Sequence, residues 1–242
     1  GNDKTSLDQP LYSLLFPQVS VRPRTSCKDV MKAVEGLRAV EQIHRAQAFG
    51  LIDHDGMSAE QMKRFEDEGI YPLPIFSVES LIYSQEAQCA VAAQQADTLG
   101  IESQTLLDEA RDAAIESIKV QAAKEHLASR LAERQMRDQV LSSLPTRHEL
   151  IAQTQPVLNV AIPSTYPDEL ARLSGMVGAS DIHGIVSRYP VRESRILDCI
   201  AKGLRFNSRD DYERAVLRRV GVDAKLRDAL KQKLGNLASQ LE

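Results

Sequence analysis

Asp53-His54-Asp55-Gly56 is the stretch of this 242-residue chain whose residue types and spacing most directly suggest chemistry. The run before it, Ala48-Phe49-Gly50-Leu51-Ile52, is continuously apolar and has the length of a strand buried on both faces. The two aspartates therefore stand where a parallel strand would end, the usual place for a site in such folds. Alternate residues of an extended chain face the same way, so Asp53 and Asp55 share a side while His54, read as structural, faces the other. Two carboxylates held close repel strongly, and a hard cation such as Mg²⁺ between them relieves the repulsion. A capping role for either aspartate explains little, because Ser58 with Gln61 already supplies a helix-start pattern. An EF-hand loop is excluded: counted from Asp53, its sixth position is Ser58 rather than Gly and its twelfth is Arg64 rather than Glu. Glu79, in Phe76-Ser77-Val78-Glu79-Ser80-Leu81, falls just past the following strand. It is either a further ligand or a first-turn carboxylate stabilised by the helix dipole by ~0.3–1 kcal/mol.

The elements that would position these groups alternate between helix and strand. Ser6-Leu7-Asp8-Gln9 and Ser26-Cys27-Lys28-Asp29 have capping-box spacing. The first opens a helix carrying Leu11, Leu14 and Leu15 up to Pro17; the second opens one with Val30, Val34, Leu37 and Val40 on its apolar face. Val19-Ser20-Val21 reads as a short strand between them. A third helix runs from Ser58 to Gly69, Ile70–Ile75 is the next strand, and Ser77 opens another helix. Strands alternating with helices through short connections predict a parallel sheet covered on both sides.

Composition sets the limits. The chain is 43% hydrophobic and 26% charged, with 12 Gly and 10 Pro, which excludes disordered and collagen-like classes. No apolar run reaches the roughly 18 residues of a membrane span, and Gly1-Asn2-Asp3-Lys4 has no signal-peptide pattern. Cys27, Cys89 and Cys199 are distant and odd in number, forming neither a disulfide framework nor a metal pair, which suits a reducing cytoplasm. The formal charge of −4 is uneven: residues 186–242 hold 13 Lys+Arg against 8 Asp+Glu, a net of +5, leaving −9 for the rest. An acidic front and a basic end fit a metal site in one part and a polyanion contact in the other, although solvated helix faces give the same numbers.

Beyond residue 85 the chain reads as helical. No Gly or Pro occurs from Ser103 to Leu144, and good helix formers dominate, which predicts one long helix or a helical pair. Its sparse apolar positions, Ile115, Ile118, Leu127 and Leu131, call for close packing on a partner element or subunit. Val157–Ile162 is a candidate strand or extended linker. Further helices are predicted over 166–177, 181–188, 192–204, 208–220 and 223–241. Arg188, Arg192 and Arg195 crowd a turn before a helix. Guanidinium forks grip phosphate and a helix start favours it, so these three are the candidate nucleic-acid contacts; ion pairs with Glu193 and Asp198 are the plainer alternative.

The segments Phe49-Gly50-Leu51-Ile52-Asp53-His54-Asp55-Gly56, Ile70-Tyr71-Pro72-Leu73-Pro74-Ile75 and Val78-Glu79-Ser80 resemble the TOPRIM fold. More narrowly they are similar to TOPRIM-like domains paired with or fused to AAA/ABC-type ATPases, as in the overcoming-lysogenization-defect nucleases and the effector of the PARIS anti-phage system. The resemblance covers about residues 1–85. It implies a small parallel-sheet α/β domain followed by a helical region over 86–242. It also implies Mg²⁺, or Mn²⁺, held by Asp53 and Asp55 as the family's Asp-x-Asp, with Glu79 as helper and Asp3 as a weaker match to a further acidic position. The family's Val-Glu turn after its first strand has no counterpart here. Val34-Glu35-Gly36 has the letters but lies mid-helix, with Glu35 on the solvated side. The expectation is that the first strand and its glutamate precede Gly1, and that this chain alone is inactive.

The resulting expectation is a Mg²⁺-dependent, phosphodiester-cleaving cytoplasmic module that works with an ATPase in anti-phage defence. Its target would be tRNA or DNA, and it would form a homodimer through the helical region, with no membrane association. Two alternatives stand beside it: a non-catalytic module that docks on or dimerises the ATPase, and a glycosyltransferase-type Asp-x-Asp that holds a nucleotide-sugar through Mn²⁺.

Overall fold

The computed structural model describes residues 7–54, 57, 59–144, 151–152 and 161–241. Helix α1 (Asp8–Leu15) buries Leu11 and Leu15 and stops before Pro17. Helix α2 (Cys27–Ala39) starts as its sequence dictates: Ser26 Oγ accepts from the Asp29 amide at 3.2 Å, and the Asp29 carboxylate accepts from the Thr25 and Ser26 hydroxyls. A short α3 (Glu41–His44) leads to strand β1 (Gly50–Ile52), helix α4 (Ala59–Asp67) and strand β2 (Ile70–Pro72).

The two strands pair in parallel, with Gly50 opposite Ile70, Leu51 opposite Tyr71 and Ile52 opposite Pro72. The Leu73 amide adds one more bond, to Ile52 O at 2.9 Å. Gly50 is required by packing, since a Cβ there would lie 2.8 Å from Val30 Cγ1 and 3.0 Å from Val34 Cγ2 of α2. Val34, Ile52 and Ile70 form a small core, joined by Val30, Met31, Met57 and Phe65. Arg38 fixes the strand entry: its Nε donates to Ala48 O at 3.1 Å, its Nη1 donates to Glu68 O at 3.0 Å, and its guanidinium covers the Phe49 ring.

Val19-Ser20-Val21, expected as a strand, is not one. The Val19 amide closes a turn on Phe16 O, and these residues join no ladder. β propensity without a neighbouring edge does not make a strand. Leu37, expected on the buried face of α2, is 46% exposed, whereas Glu35 lies in solvent as expected.

After β2 come α5 (Val78–Ile82), α6 (Gln85–Leu99), α7 (Ser103–Ile118) and α8 (Gln121–Ser142). The segment expected as one long helix or a pair is the pair α7–α8, broken at Lys119-Val120. Ile115, Ile118, Leu127 and Leu131 are all buried inside this chain, so another element of the same molecule covers the stripe. Helices α9 (Tyr166–Gly178), α10 (Ile182–Arg188), α11 (Ile196–Gly203), α12 (Arg209–Val222), α13 (Ala224–Gln232) and α14 (Asn236–Leu241) follow, with a 3₁₀ turn at Val191–Glu193. Ser208 and Asp181 cap α12 and α10 through the Asp211 and Gly184 amides. Most of the Val157–Ile162 expectation lies outside the described residues; Ala161 and Ile162 are in no strand.

The fold is thus a mixed α/β arrangement, mainly helical, with a two-stranded parallel sheet among the described residues. Its main core joins both ends of the sequence. Leu11, Leu15 and Phe16 of the first helix region share one cluster with Leu81, Ile82, Leu106, Ile196, Val216 and Leu230. The boundary expected near residue 85 therefore runs through a common core. No helix is long and apolar enough to cross a membrane, among the described residues.

Candidate functional site

Asp53 follows directly on β1 and is exposed, at the carboxyl end of the strand as its sequence position implies. The chain then turns, with the Met57 amide donating to His54 O at 2.9 Å. Asp55 and Asp3, the other expected acidic ligands, lie outside the described residues.

Glu79 lies seven residues past the end of β2, in the first turn of α5, and is 4% exposed. Burying a carboxylate is costly without opposite charge or hydrogen bonds. Here two arginines supply the charge. Arg192 Nη1 lies 3.3 Å and Arg209 Nη2 3.7 Å from Glu79 Oε1. Arg209 also pairs through Nε with Glu213, one turn along α12, and its guanidinium lies over the Tyr83 ring. The Tyr83 hydroxyl donates to Glu213 Oε1 at 3.2 Å. Burial, with the Glu213 charge beside it, pushes the Tyr83 phenol far above its ordinary value, so it acts as a fixed donor. Two acids and two arginines thus form a charge-balanced cluster around the start of α5.

Hydrogen bonds far apart in sequence build this cluster. The Phe76 amide donates to Ser187 O at 2.8 Å, and Ser80 Oγ donates to Val186 O at 2.6 Å. Both fix the end of α10 against the β2–α5 connection, which lays the following 3₁₀ turn over Glu79. From the other side the Tyr212 hydroxyl donates to Ile82 O at 2.9 Å, and its ring stacks on Tyr83 with centroids 4.5 Å apart. This contact brings α12, and so Arg209, against α5.

Tyr12 of α1 packs against the main core. Desolvation raises its phenol well above its ordinary value, and the negative charges of Asp8, Asp53 and Glu79 push it further the same way.

The three candidate phosphate-binding arginines separate into different roles. Arg188 is committed to Glu169 of α9, with Nε at 3.0 Å from Oε2 and Nη2 on Oε1. Burial works to raise the Glu169 carboxyl, but the Arg188 hydrogen bonds and charge, aided by Tyr189, outweigh it and hold the group below its ordinary value. Arg192 reaches Glu79 while its side chain stays 75% exposed. Arg195 is exposed, its carbonyl accepts from the Cys199 amide at 3.0 Å, and its side chain makes no hydrogen bond or ion pair with any described residue. Glu193 does not pair with its neighbouring arginines. It turns to α8, where Arg130 Nε lies 2.6 Å from Oε2 and Arg134 Nη2 lies 3.0 Å from Oε1. The Arg130 hydrogen bond is the main cause of a Glu193 pKa below the ordinary carboxylate value.

Sequence reading missed Tyr12, Arg209, Glu213 and the α8 arginines. An Arg with Glu at i+4, as in Arg209 and Glu213, is a helix-surface pattern that signals a local pair. Nothing local signals that the pair is roofed by Glu79 and Tyr83.

A divalent cation at this edge, implied by the resemblance, fits the residues only in part. Glu79 does not fit as a ligand, because its carboxylate is already neutralised by Arg192 and Arg209. Asp53 is an exposed residue just past the strand. Among the described residues no group of three or more His, Cys, Asp or Glu side chains could hold a metal ion. Comparison of the chain with protein-family models, curated proteins and solved structures finds no match in any of the three.

Proposed function

We propose that the chain is the cation-binding part of a phosphodiester-cleaving assembly of TOPRIM-like type, inactive in cleavage by itself, with its site at the carboxyl edge of the β1–β2 pair. The observation that carries this reading is the buried Glu79 held by Arg192 and Arg209 on the segment after β2, with Asp53 exposed just past β1. Acidic groups beside restrained arginines suit a phosphate ester, whose bridging centre needs an activated attacking oxygen and whose peripheral oxygens need cationic donors. Asp53 and Asp55 are the residues that would hold the ion; Mg²⁺ would supply charge neutralisation on the phosphate and a more acidic bound water. Glu79 acts as the counter-ion that fixes Arg192 and Arg209, and Arg192 presents its exposed guanidinium to the substrate. Work with an AAA/ABC-type ATPase in anti-phage defence, on tRNA or DNA, rests on the resemblance of residues 49–56 and 70–80.

The test is calorimetric titration of Mg²⁺ or Mn²⁺ into the chain and into Asp53→Asn and Asp55→Asn, paired with cleavage assays on tRNA and plasmid DNA. Cation binding that each substitution weakens at least tenfold supports the reading. Binding that both substitutions leave unchanged, or none at all in the parent chain, sinks it.

A docking or dimerising role is favoured by one feature, the apolar surface at the end of α2 and in α3, where Leu37 is 46%, Val40 42% and Ile43 82% exposed. Concentration-dependent self-association in sedimentation velocity, lost in Leu37→Ser with Ile43→Ser, would establish it. A chain that stays monomeric at every concentration removes dimerisation.

A further inference from the structure

We propose that the phosphate backbone of a nucleic acid runs from the carboxyl edge of the sheet across Arg192 and Arg195 and onto an arginine row on α8 formed by Arg130, Arg134 and Arg137. This deepens the reading given above and rests on it.

The row follows from helical geometry. Positions i, i+4 and i+7 fall on one face of an α-helix, and at 1.5 Å per residue the backbone rises by about 6 and 4.5 Å between the three arginines. The row surrounds a shallow depression of about 170 Å³ lined by Arg130, Glu133, Arg134, Arg137 and Asp138.

Two contacts tie the row to the site. Glu193 accepts from Arg130 and Arg134, which joins α8 to the 3₁₀ turn that carries Arg192. Arg134 also lies over the Phe76 ring, at 5.1 Å from its centroid, and Phe76 belongs to the connection between β2 and Glu79. These contacts run from Glu79 to Arg192 on the 3₁₀ turn, and from Glu193 on the same turn to Arg134 and Arg130.

Burial decides which arginines can serve. Arg137 is 63% and Arg192 75% exposed at the side chain, and Arg195 is exposed with no described side-chain partner. Arg188 drops out, because Glu169 holds both its Nε and Nη2 and its side chain is only 37% exposed, whereas Arg192 touches Glu79 through one nitrogen and Glu79 keeps Arg209 beside it. The three α8 arginines share their face with Glu133, Glu193 and Asp138. A flat anionic membrane would meet both signs at once, whereas a single phosphate backbone can follow the cations between the acids.

Fluorescence anisotropy with a fluorescein-labelled stem-loop RNA and a DNA duplex, read across a salt series, tests the path in the full chain. Two exposed positions are changed together, Arg137→Ala with Arg195→Ala, so that folding is not at stake. The expected result is at least tenfold weaker binding and a salt slope shallower by ~0.9 for each arginine removed. Arg218→Ala is the control: this exposed arginine of α12 lies about 13 Å along the helix from Arg209 at 1.5 Å per residue and should change little. Unaltered affinity in the double variant, or equal loss in the control, overturns the proposal. So does arginine-dependent binding to phosphatidylserine vesicles without binding to either oligonucleotide. A chain that binds through these arginines but takes up no Mg²⁺ sinks the cation reading alone. Mg²⁺ uptake at Asp53 with arginine-independent binding sinks the path alone.

Discussion

Glu79 of α5 and Arg192 of the 3₁₀ turn meet with Oε1 and Nη1 3.3 Å apart, the carboxylate side chain 5% exposed and the guanidinium side chain 75% exposed. Arg192 therefore reaches from solvent to neutralise an acid that cannot itself reach solvent. Removing the acid leaves Arg209 with Glu213 alone and Arg192 with none. Because one partner is exposed, the cost falls below the ~3–5 kcal/mol of breaking a fully buried pair. Glu79→Gln should destabilise the chain by about 1–3 kcal/mol in urea denaturation while leaving Mg²⁺ affinity within twofold. A variant of unchanged stability that loses Mg²⁺ affinity tenfold would make Glu79 a ligand rather than a counter-ion.

What the sequence could reveal here depended on distance along the chain. Local rules placed the caps at Ser26 and Ser208, the strand ending at Ile52 and the helices α9, α10 and α12, because each is set within one or two turns of backbone. The helix expected over 223–241 is instead two, α13 and α14, and that expected over 192–204 begins only at Ile196. Asp53 stood at its strand end for the same reason. The partner of Glu79 was not legible. Its dipole reading and its ligand reading were both local, whereas the neutralising charges arrive from Arg192 and Arg209 through the hydrogen bonds of Phe76 and Ser80 to the end of α10. The same holds for Glu193, whose nearby arginines were the natural partners by sequence but whose observed partners are Arg130 and Arg134. The break at Lys119-Val120 carries no Gly or Pro; it is set by tertiary packing, as α7 lies on α11 and α8 on α9.

The Glu169–Arg188 pair gives stability a defined pH dependence. Glu169 has a folded pKa below its ordinary value, so the unfolded chain binds its proton more readily. The stabilisation is complete above the unfolded carboxylate value near ~4.3 and is lost as pH falls through the lower folded value. Glu169→Gln should therefore be less stable than the parent at pH 7, and the gap should narrow as the medium is acidified below about pH 4. Denaturant midpoints of the two proteins at neutral and acid pH measure this. A gap that widens in acid would refute the assignment.

Gly203, the last residue of α11, tests the close helix pairing that an alanine-rich α7 permits. A Cβ there would lie 2.4 Å from Ala110 Cα and 2.7 Å from Ala110 N. The obstacle is backbone, which cannot swing aside as a side chain would. Gly203→Ala should cost about 1–3 kcal/mol, as overpacking does, and a second change, Ala110→Gly, should restore less than half of it. Full restoration would mean that the Ala110 methyl, at 2.9 Å, is the true obstacle.

Tyr12 offers a readout of the sheet edge that needs no activity. Its phenol feels the negative charges of Asp53 and Glu79, and the chain has 6 tyrosines and no tryptophan to mask their emission. Nearby carboxylates quench tyrosine fluorescence by drawing on the phenol proton, and a divalent cation beside Asp53 would weaken that pull. Titration with Mg²⁺ should raise tyrosine emission in the parent chain along one saturating curve, and the rise should vanish in Tyr12→Phe and in Asp53→Asn. Tyr83, Tyr189 and Tyr212 are fully buried and engaged with Glu213, Glu169 and Ile82 O, so their contribution should stay constant. A rise that survives Tyr12→Phe would place the responding cation away from this edge. A rise that Tyr12→Phe removes but Asp53→Asn does not would locate it at one of the other two acids in the Tyr12 field, Asp8 or Glu79.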